Sequence, residues 1–266
     1  MKHFSREGLA RARLPGSMLA GRMLAGSVLA GAQLPGMMLV STVLASTVAG
    51  LGCNQESPAP ASPLLPYHPL ADGAWWEYQH TDWTERVTMA ATTFDGSPAF
   101  SMTDSPNPKD GLRSDSVVVE RDGRVLRVTK QEYLVGAEGE PTLESSVDYG
   151  VGFTRFNENW ALEQAGFRET PEYERIETEP GQEPRPAEAR RHSFEVVSLS
   201  AEVQTAVGTF DCIQIQRTKD WEAEEDGVDL SDAQTKMFWF ARGVGKVREL
   251  NLDTAKAELL TDYFIP

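Results

Sequence analysis

Four histidines, two cysteines and 40 carboxylates are the side chains with which this 266-residue chain could do chemistry, and their spacing supports little of it. His3, His68, His80 and His192 stand far apart. They form no His-Glu-x-x-His pair and no Cys/His cluster, so neither a structural nor a catalytic zinc site is expected. The absence of a Gly-x-Ser-x-Gly elbow weakens a serine-hydrolase reading. Asp226, Asp229 and Asp232 could approach a calcium ion, but their spacing departs from the EF-hand loop and lacks its final Glu. A solvated acidic turn is the expectation there. Gly243-Val-Gly-Lys lacks the remaining spacing of a phosphate-binding loop and the helix that should follow it. Gly243, Gly245 and Gly208 are instead read as turn residues suited to positive φ. Cys212 alternates with Phe210 on one strand face, the usual setting of a buried, inert thiol. The expectation is therefore a protein with no catalytic residue, no metal and no cofactor.

Cys53 stands apart. No charged residue occurs between Arg22 and Glu56, and an apolar run from Met37 to Leu51 stops just before it. Lys2, Arg6, Arg11, Arg13 and Arg22 form a basic head, and Pro58, Pro60, Pro63 and Pro66 punctuate the segment that follows. This order resembles a bacterial lipoprotein signal peptide, with Gly52 in its proper place and Leu51 and Gly50 in an unusual order upstream. The resemblance implies cleavage after residue 52, acylation of Cys53 and a tether over residues 53–66. Asn54 in place of Asp implies sorting to the outer membrane. Leucines also recur every five residues from Leu9 to Leu44. Because they lie in the export signal, they are excluded from the fold.

Of the 40 acidic residues only Glu7 precedes Cys53, whereas five of the 25 basic residues do, which leaves the mature chain at −19. Such a surface repels nucleic acid and anionic lipid. With Cys53 acylated, Cys212 has no disulfide partner, and residues 67–266 must stand as one domain on a hydrophobic core.

Short β-branched segments alternate with turn clusters along that domain, as in Glu85–Thr92, Ser116–Glu120, Arg124–Tyr133, Ser193–Val197, Thr209–Arg217 and Lys236–Ala241. Asp122-Gly123 reads as a hairpin turn. The pattern predicts an all-β fold with minor α content, mostly antiparallel. A short helix is expected around Trp160, and residues 169–191, rich in Glu, Arg and Pro, are read as a long mobile loop. The aromatics Trp75, Trp76, Trp83 and Trp239 remain as candidate ligand-binding residues. Adjacent rings such as Trp75 and Trp76 must face opposite sides of a strand, so one of that pair is expected in the core.

Three landmarks carry a further resemblance: Tyr67-His-Pro-Leu-Ala-Asp-Gly-Ala-Trp-Trp-Glu-Tyr, Val203-Gln-Thr-Ala-Val-Gly-Thr-Phe, and Phe240-Ala-Arg-Gly-Val-Gly-Lys. Together they resemble a broad group of bacterial envelope lipoproteins. That group is similar to the curved antiparallel half-barrels of the LolA/LolB carriers, whose concave face shelters acyl chains. The resemblance implies a single curved sheet and a non-enzymatic, lipid-anchored envelope protein that binds an apolar ligand or an envelope protein. A purely structural or assembly lipoprotein is the alternative, and a hydrolase with a dispersed site the weaker third.

Overall fold

Two aspartate-glycine pairs set the first hairpins. Asp95-Gly96 and Asp122-Gly123 hold positive φ at both central positions, 49° and 75° in the first and 53° and 72° in the second. That is the type I′ geometry, whose twist matches paired strands. The pairs join β2 (Thr84–Phe94) to β3 (Ser97–Asp104) and β4 (Leu112–Arg121) to β5 (Arg124–Val135). Ahead of them runs β1 (Trp75–Gln79). Behind them come β6 (Pro141–Asn157), a 3₁₀ turn (Glu158–Leu162), β7 (Arg168–Glu169) and β8 (Glu172–Thr178). The chain ends with β9 (Glu188–Thr205), β10 (Gly208–Asp220), β11 (Thr235–Ala241), β12 (Gly245–Asn251) and β13 (Ala257–Phe264). The computed structural model describes residues 65–136, 138–220 and 234–266. The export signal, Cys53, most of the tether and the turn holding Asp226, Asp229 and Asp232 lie outside the described residues.

The expected all-β fold forms as a single antiparallel sheet, but it is not a half-barrel. β13 pairs with β1, β9 pairs with β10, and β8 bridges β6 to β9, so twelve strands close into a barrel with β7 as a short extra strand on β9. Closure pairs the edges that a half-barrel leaves free.

Closure also corrects the reading of residues 169–191 as a loop. Glu172–Arg175 pairs with Glu188–Arg191, and Ile176–Thr178 pairs with Ser146–Asp148. The charges that made this stretch look too polar to pack alternate on a barrel strand. Tyr173 and Arg175 line the interior, while Glu172 and Glu174 are exposed outside. Only residues 179–187 connect the two strands.

One end of the barrel is closed by residues 65–70, just ahead of β1. Glu158 accepts hydrogen bonds from the backbone N–H groups of Tyr67 and His68 at 3.1 and 3.0 Å. The Gly243 N–H donates to Pro66 O at 2.7 Å. Beneath lies an aromatic core in which Phe156 and Trp160 meet edge-on at 5.2 Å and Trp160 packs on Phe194 at 5.0 Å. The helix expected around Trp160 is thus a 3₁₀ turn, capped by Asn157, whose side chain accepts from the Asn159 N–H.

A second core reaches through the barrel wall, with Trp76, Tyr78 and Val87 on its cavity side and Trp239 on its outer side. β9 also packs across β12 and β13, bringing Val203 and Phe210 to Trp239, Leu259 and Tyr263. Register shifts at Cys212/Gln214 and Gln214/Ile215 let β10 bend there. Cys212 sits in the bend, 1% exposed, and burial pushes its thiol up to about 12, the inert state expected of it. Gly208, Gly243 and Gly245 all adopt positive φ, at 140°, 69° and 102°. At Gly245 a Cβ would also stand 3.3 Å from the Trp76 indole nitrogen. Elsewhere Glu77, Arg86, Ser101 and Thr103 alternate with interior residues and face outward, so this wall is not the apolar belt of a lipid-facing barrel.

Candidate functional site

A twelve-stranded barrel is too wide for its own side chains to fill. Above the aromatic plug a cavity of about 550 Å³ remains, and its lining is charged: nine lysines and arginines against four carboxylates. In a chain of formal charge −15 this is a local inversion of sign.

Most of these charges are engaged. Lys246 Nζ reaches Glu249 at 3.0 Å and Glu258 at 2.5 Å, and Lys236 holds the other oxygen of Glu249 at 2.6 Å. Burial opposes ionisation of Glu249, but Lys246 and Lys236 overcome it and hold the carboxyl far below its ordinary range. Lys130 and Arg175 pair with Glu132 and Glu177 at 2.5 and 3.0 Å.

Three guanidinium groups have no anionic partner among the described residues. Among the described residues Arg127 on β5, Arg155 on β6 and Arg217 on β10 make no ion pair, and Nε of Arg127 and of Arg217 is buried without a hydrogen-bond partner. Arg217 lies over the rings of Phe238 and Phe153, at 4.9 and 5.5 Å. Burial first, and then the fields of Arg127 and Arg217, bring Arg155 down to about 10. Asp104, also in the lining, is pushed up to about 6 by burial and by Glu85. As a single carboxylate it compensates the three arginines only in part.

Two histidines complete the wall. Burial, with neighbouring cations second, brings both His68 and His192 down to about 3. Nε2 of His192 meets the Tyr173 hydroxyl at 3.2 Å, and its Nδ1 is buried without a partner. A histidine held neutral by folding stabilises fully above its unfolded value of 6.5, and that contribution is lost as pH falls toward 3. Asp104 acts with the opposite sign between 3.8 and about 6, offsetting one histidine but not two. Stability is therefore expected to fall from neutral to about pH 4 by about 1.4 kcal/mol per pH unit for each uncompensated group, and melting temperature to fall with it. His68→Phe/His192→Phe should flatten that slope, and a wild-type melting temperature independent of pH over the same range would contradict it.

Of the four tryptophans singled out in the sequence, the structure brings only Trp76 to the cavity. Trp75 faces outward beneath Arg86, 4.0 Å from its ring. Trp83 stacks on His80 at 4.2 Å in the β1–β2 turn, and Trp239 lies on the outer side of the second core with Arg248 over it at 4.7 Å. Near that turn the donor atoms of His80, Glu85 and Glu258 lie within 4.8 Å of one another. Lys246 already neutralises Glu258 there, so a metal ion would have to displace it.

Sequence pattern alone does not single out these arginines, because an arginine in a strand ordinarily marks the solvent face. A signal existed in Ile213-x-Ile215-x-Arg217-x-Lys219, where one strand face runs from apolar to cationic without a change of phase.

The site belongs to a closed antiparallel barrel with a cationic interior cavity. The chain matches no family model and no curated protein. Among solved structures it is similar to a presumed lipoprotein of Parabacteroides distasonis, at 12% identity and a TM-score of 0.43, over 76% of this chain and 100% of the other. It is likewise similar to a presumed exported protein with a YmcC-like fold from Bacteroides fragilis, at 10% identity and a TM-score of 0.42, over 75% and 99%. Both likenesses are distant, and the functional conclusion rests on this chain's own residues.

Proposed function

We propose that this chain is a non-enzymatic envelope protein, anchored through an acylated Cys53 in the outer membrane, whose barrel interior binds a small anionic molecule. One observation carries the ligand class: Arg127, Arg155 and Arg217 share a cavity with no carboxylate paired to any of them. Desolvating three like charges is costly unless a counter-charge arrives, and a bound anion supplies it. An acyl chain on the same wall would leave the three with no compensation beyond the partial one from Asp104 and Glu249, so an anion replaces the apolar ligand expected from the half-barrel. The anchor follows from the basic head, the apolar run to Leu51 and the tether after Cys53.

Two measurements test the two halves. Intact mass of the membrane-extracted protein is expected to begin at Cys53 with acyl chains, and Cys53→Ala to accumulate as uncleaved precursor. Cleavage elsewhere with an unmodified Cys53 removes the anchor. For the ligand, small oxyanions are expected to raise the melting temperature of the detergent-solubilised protein, whereas an uncharged long-chain alcohol is not. The opposite ranking would return the cavity to apolar ligands.

A further inference from the structure

We infer that the anion is a phosphate monoester, its phosphoryl group held by Arg127, Arg155 and Arg217 and its organic part lying against the aromatic wall. The inference rests on the anionic-ligand reading above and narrows it.

The argument is geometric. Arg127 and Arg155 project from the neighbouring strands β5 and β6, while Arg217 projects from β10, beyond β8 and β9 around the barrel. The donors therefore approach the cavity from separated parts of the wall. A carboxylate presents two oxygens in one plane and can face one or two guanidinium forks. A phosphate monoester presents three terminal oxygens in three directions and carries close to two negative charges at neutral pH. Three forks from separated directions match the second shape. Arg is also the side chain whose planar fork suits phosphate oxygens, and the three lining cations without an ion pair among the described residues are all Arg rather than Lys.

The rest of the wall says what the ester carries. The Phe153 and Phe238 rings lie 5.5 and 4.9 Å from the Arg217 guanidinium carbon, a contact that attracts the cation without using up its N–H donors. Tyr149 and Tyr173 flank Phe153 at 5.9 and 5.3 Å, giving ring surfaces beside the cations. Buried next to them, the unpartnered Nδ1 of His192 offers a further polar contact. A ring-bearing alcohol joined to phosphate fills such a site, and the cavity of about 550 Å³ has room for it. The same phosphoryl chemistry occurs free in solution or as a lipid headgroup.

The test is calorimetric titration of the full-length processed protein in detergent micelles. Phenyl phosphate, inorganic phosphate, benzoate and tricarballylate are the soluble probes, and phosphatidic acid doped into the micelles is the lipid one. Phenyl phosphate is expected to bind at least about tenfold more tightly than benzoate or tricarballylate. Tighter binding of phosphatidic acid than of phenyl phosphate would assign the headgroup as source, and the reverse a soluble ester; both uphold the inference. If a carboxylate matches phenyl phosphate, the inference fails and the anionic reading survives. If no anion binds, both fail. Arg155→Gln is expected to weaken phenyl phosphate roughly tenfold or more while melting no lower than wild type, because it relieves repulsion among unpaired cations. Arg217→Gln should do the same, which guards against one variant that folds poorly. Unchanged phenyl phosphate affinity in both variants would overturn the assignment.

Discussion

Trp76→Ala is expected to destabilise the protein by about 3–5 kcal/mol, and Trp75→Ala by about 1 kcal/mol or less. The two residues are neighbours of the same type on β1, so composition and propensity are held constant. Trp76 is 3% exposed and packs with Ala74, Val87, Val247 and Leu260. Its indole N–H donates to Val244 O at 2.5 Å across the turn between β11 and β12. Truncation removes a large apolar volume, opens the cavity wall and strands a buried carbonyl. Trp75 loses only an outward contact with Arg86. Denaturant melts of the two variants measure the contrast directly. Similar losses in both would mean that the strand does not divide inside from outside at this point.

That division is legible in the sequence, since adjacent side chains on a strand must part. Which partner turns inward is not, because it depends on the register between β1 and β13, set by residues nearly two hundred positions later. The Asp122-Gly123 hairpin and the β-rich pattern are equally legible, being local. Barrel closure is not. It depends on β8, a strand of Glu, Arg and one buried Tyr173 whose composition mimics a loop because its inward face meets a charged cavity rather than an apolar core. The same inversion hid the site. Arg155 stands between buried Thr154 and Phe156, and a sequence reader counts it as a surface residue. Hydrophobic alternation assumes that inside means apolar, and here part of the inside is cationic.

Lys246→Met is expected to cost about 3–5 kcal/mol at neutral pH, the loss typical of leaving a buried charge without its partner. Glu249 and Glu258 stand directly opposite each other across β12 and β13, a ladder with only three registered pairs. Like charges so placed repel, and Lys246 is what lies between them, with the Tyr78 ring 4.6 Å from its ammonium. Burial disfavours its charge, yet the two carboxylates hold its pKa above the ordinary lysine value. Without it, Glu258 loses its cation and Glu249 keeps only Lys236. The deficit should shrink in acid, where a carboxyl can take up a proton, and adding Glu258→Gln should recover much of it at neutral pH. A Lys246→Met protein that melts like wild type would show that the pair is screened by water and holds nothing together. The variant also bears on the ligand. In the wild type Glu249 is claimed by two lysines and is not paired with Arg217, though it is among the charges that act on it. Releasing half of that hold frees the carboxylate to turn toward Arg217, so the folded fraction of Lys246→Met is expected to bind phenyl phosphate more weakly. Lys246 thus serves the cavity twice, by closing the β12–β13 seam and by keeping an internal anion away from the place where an external one must go.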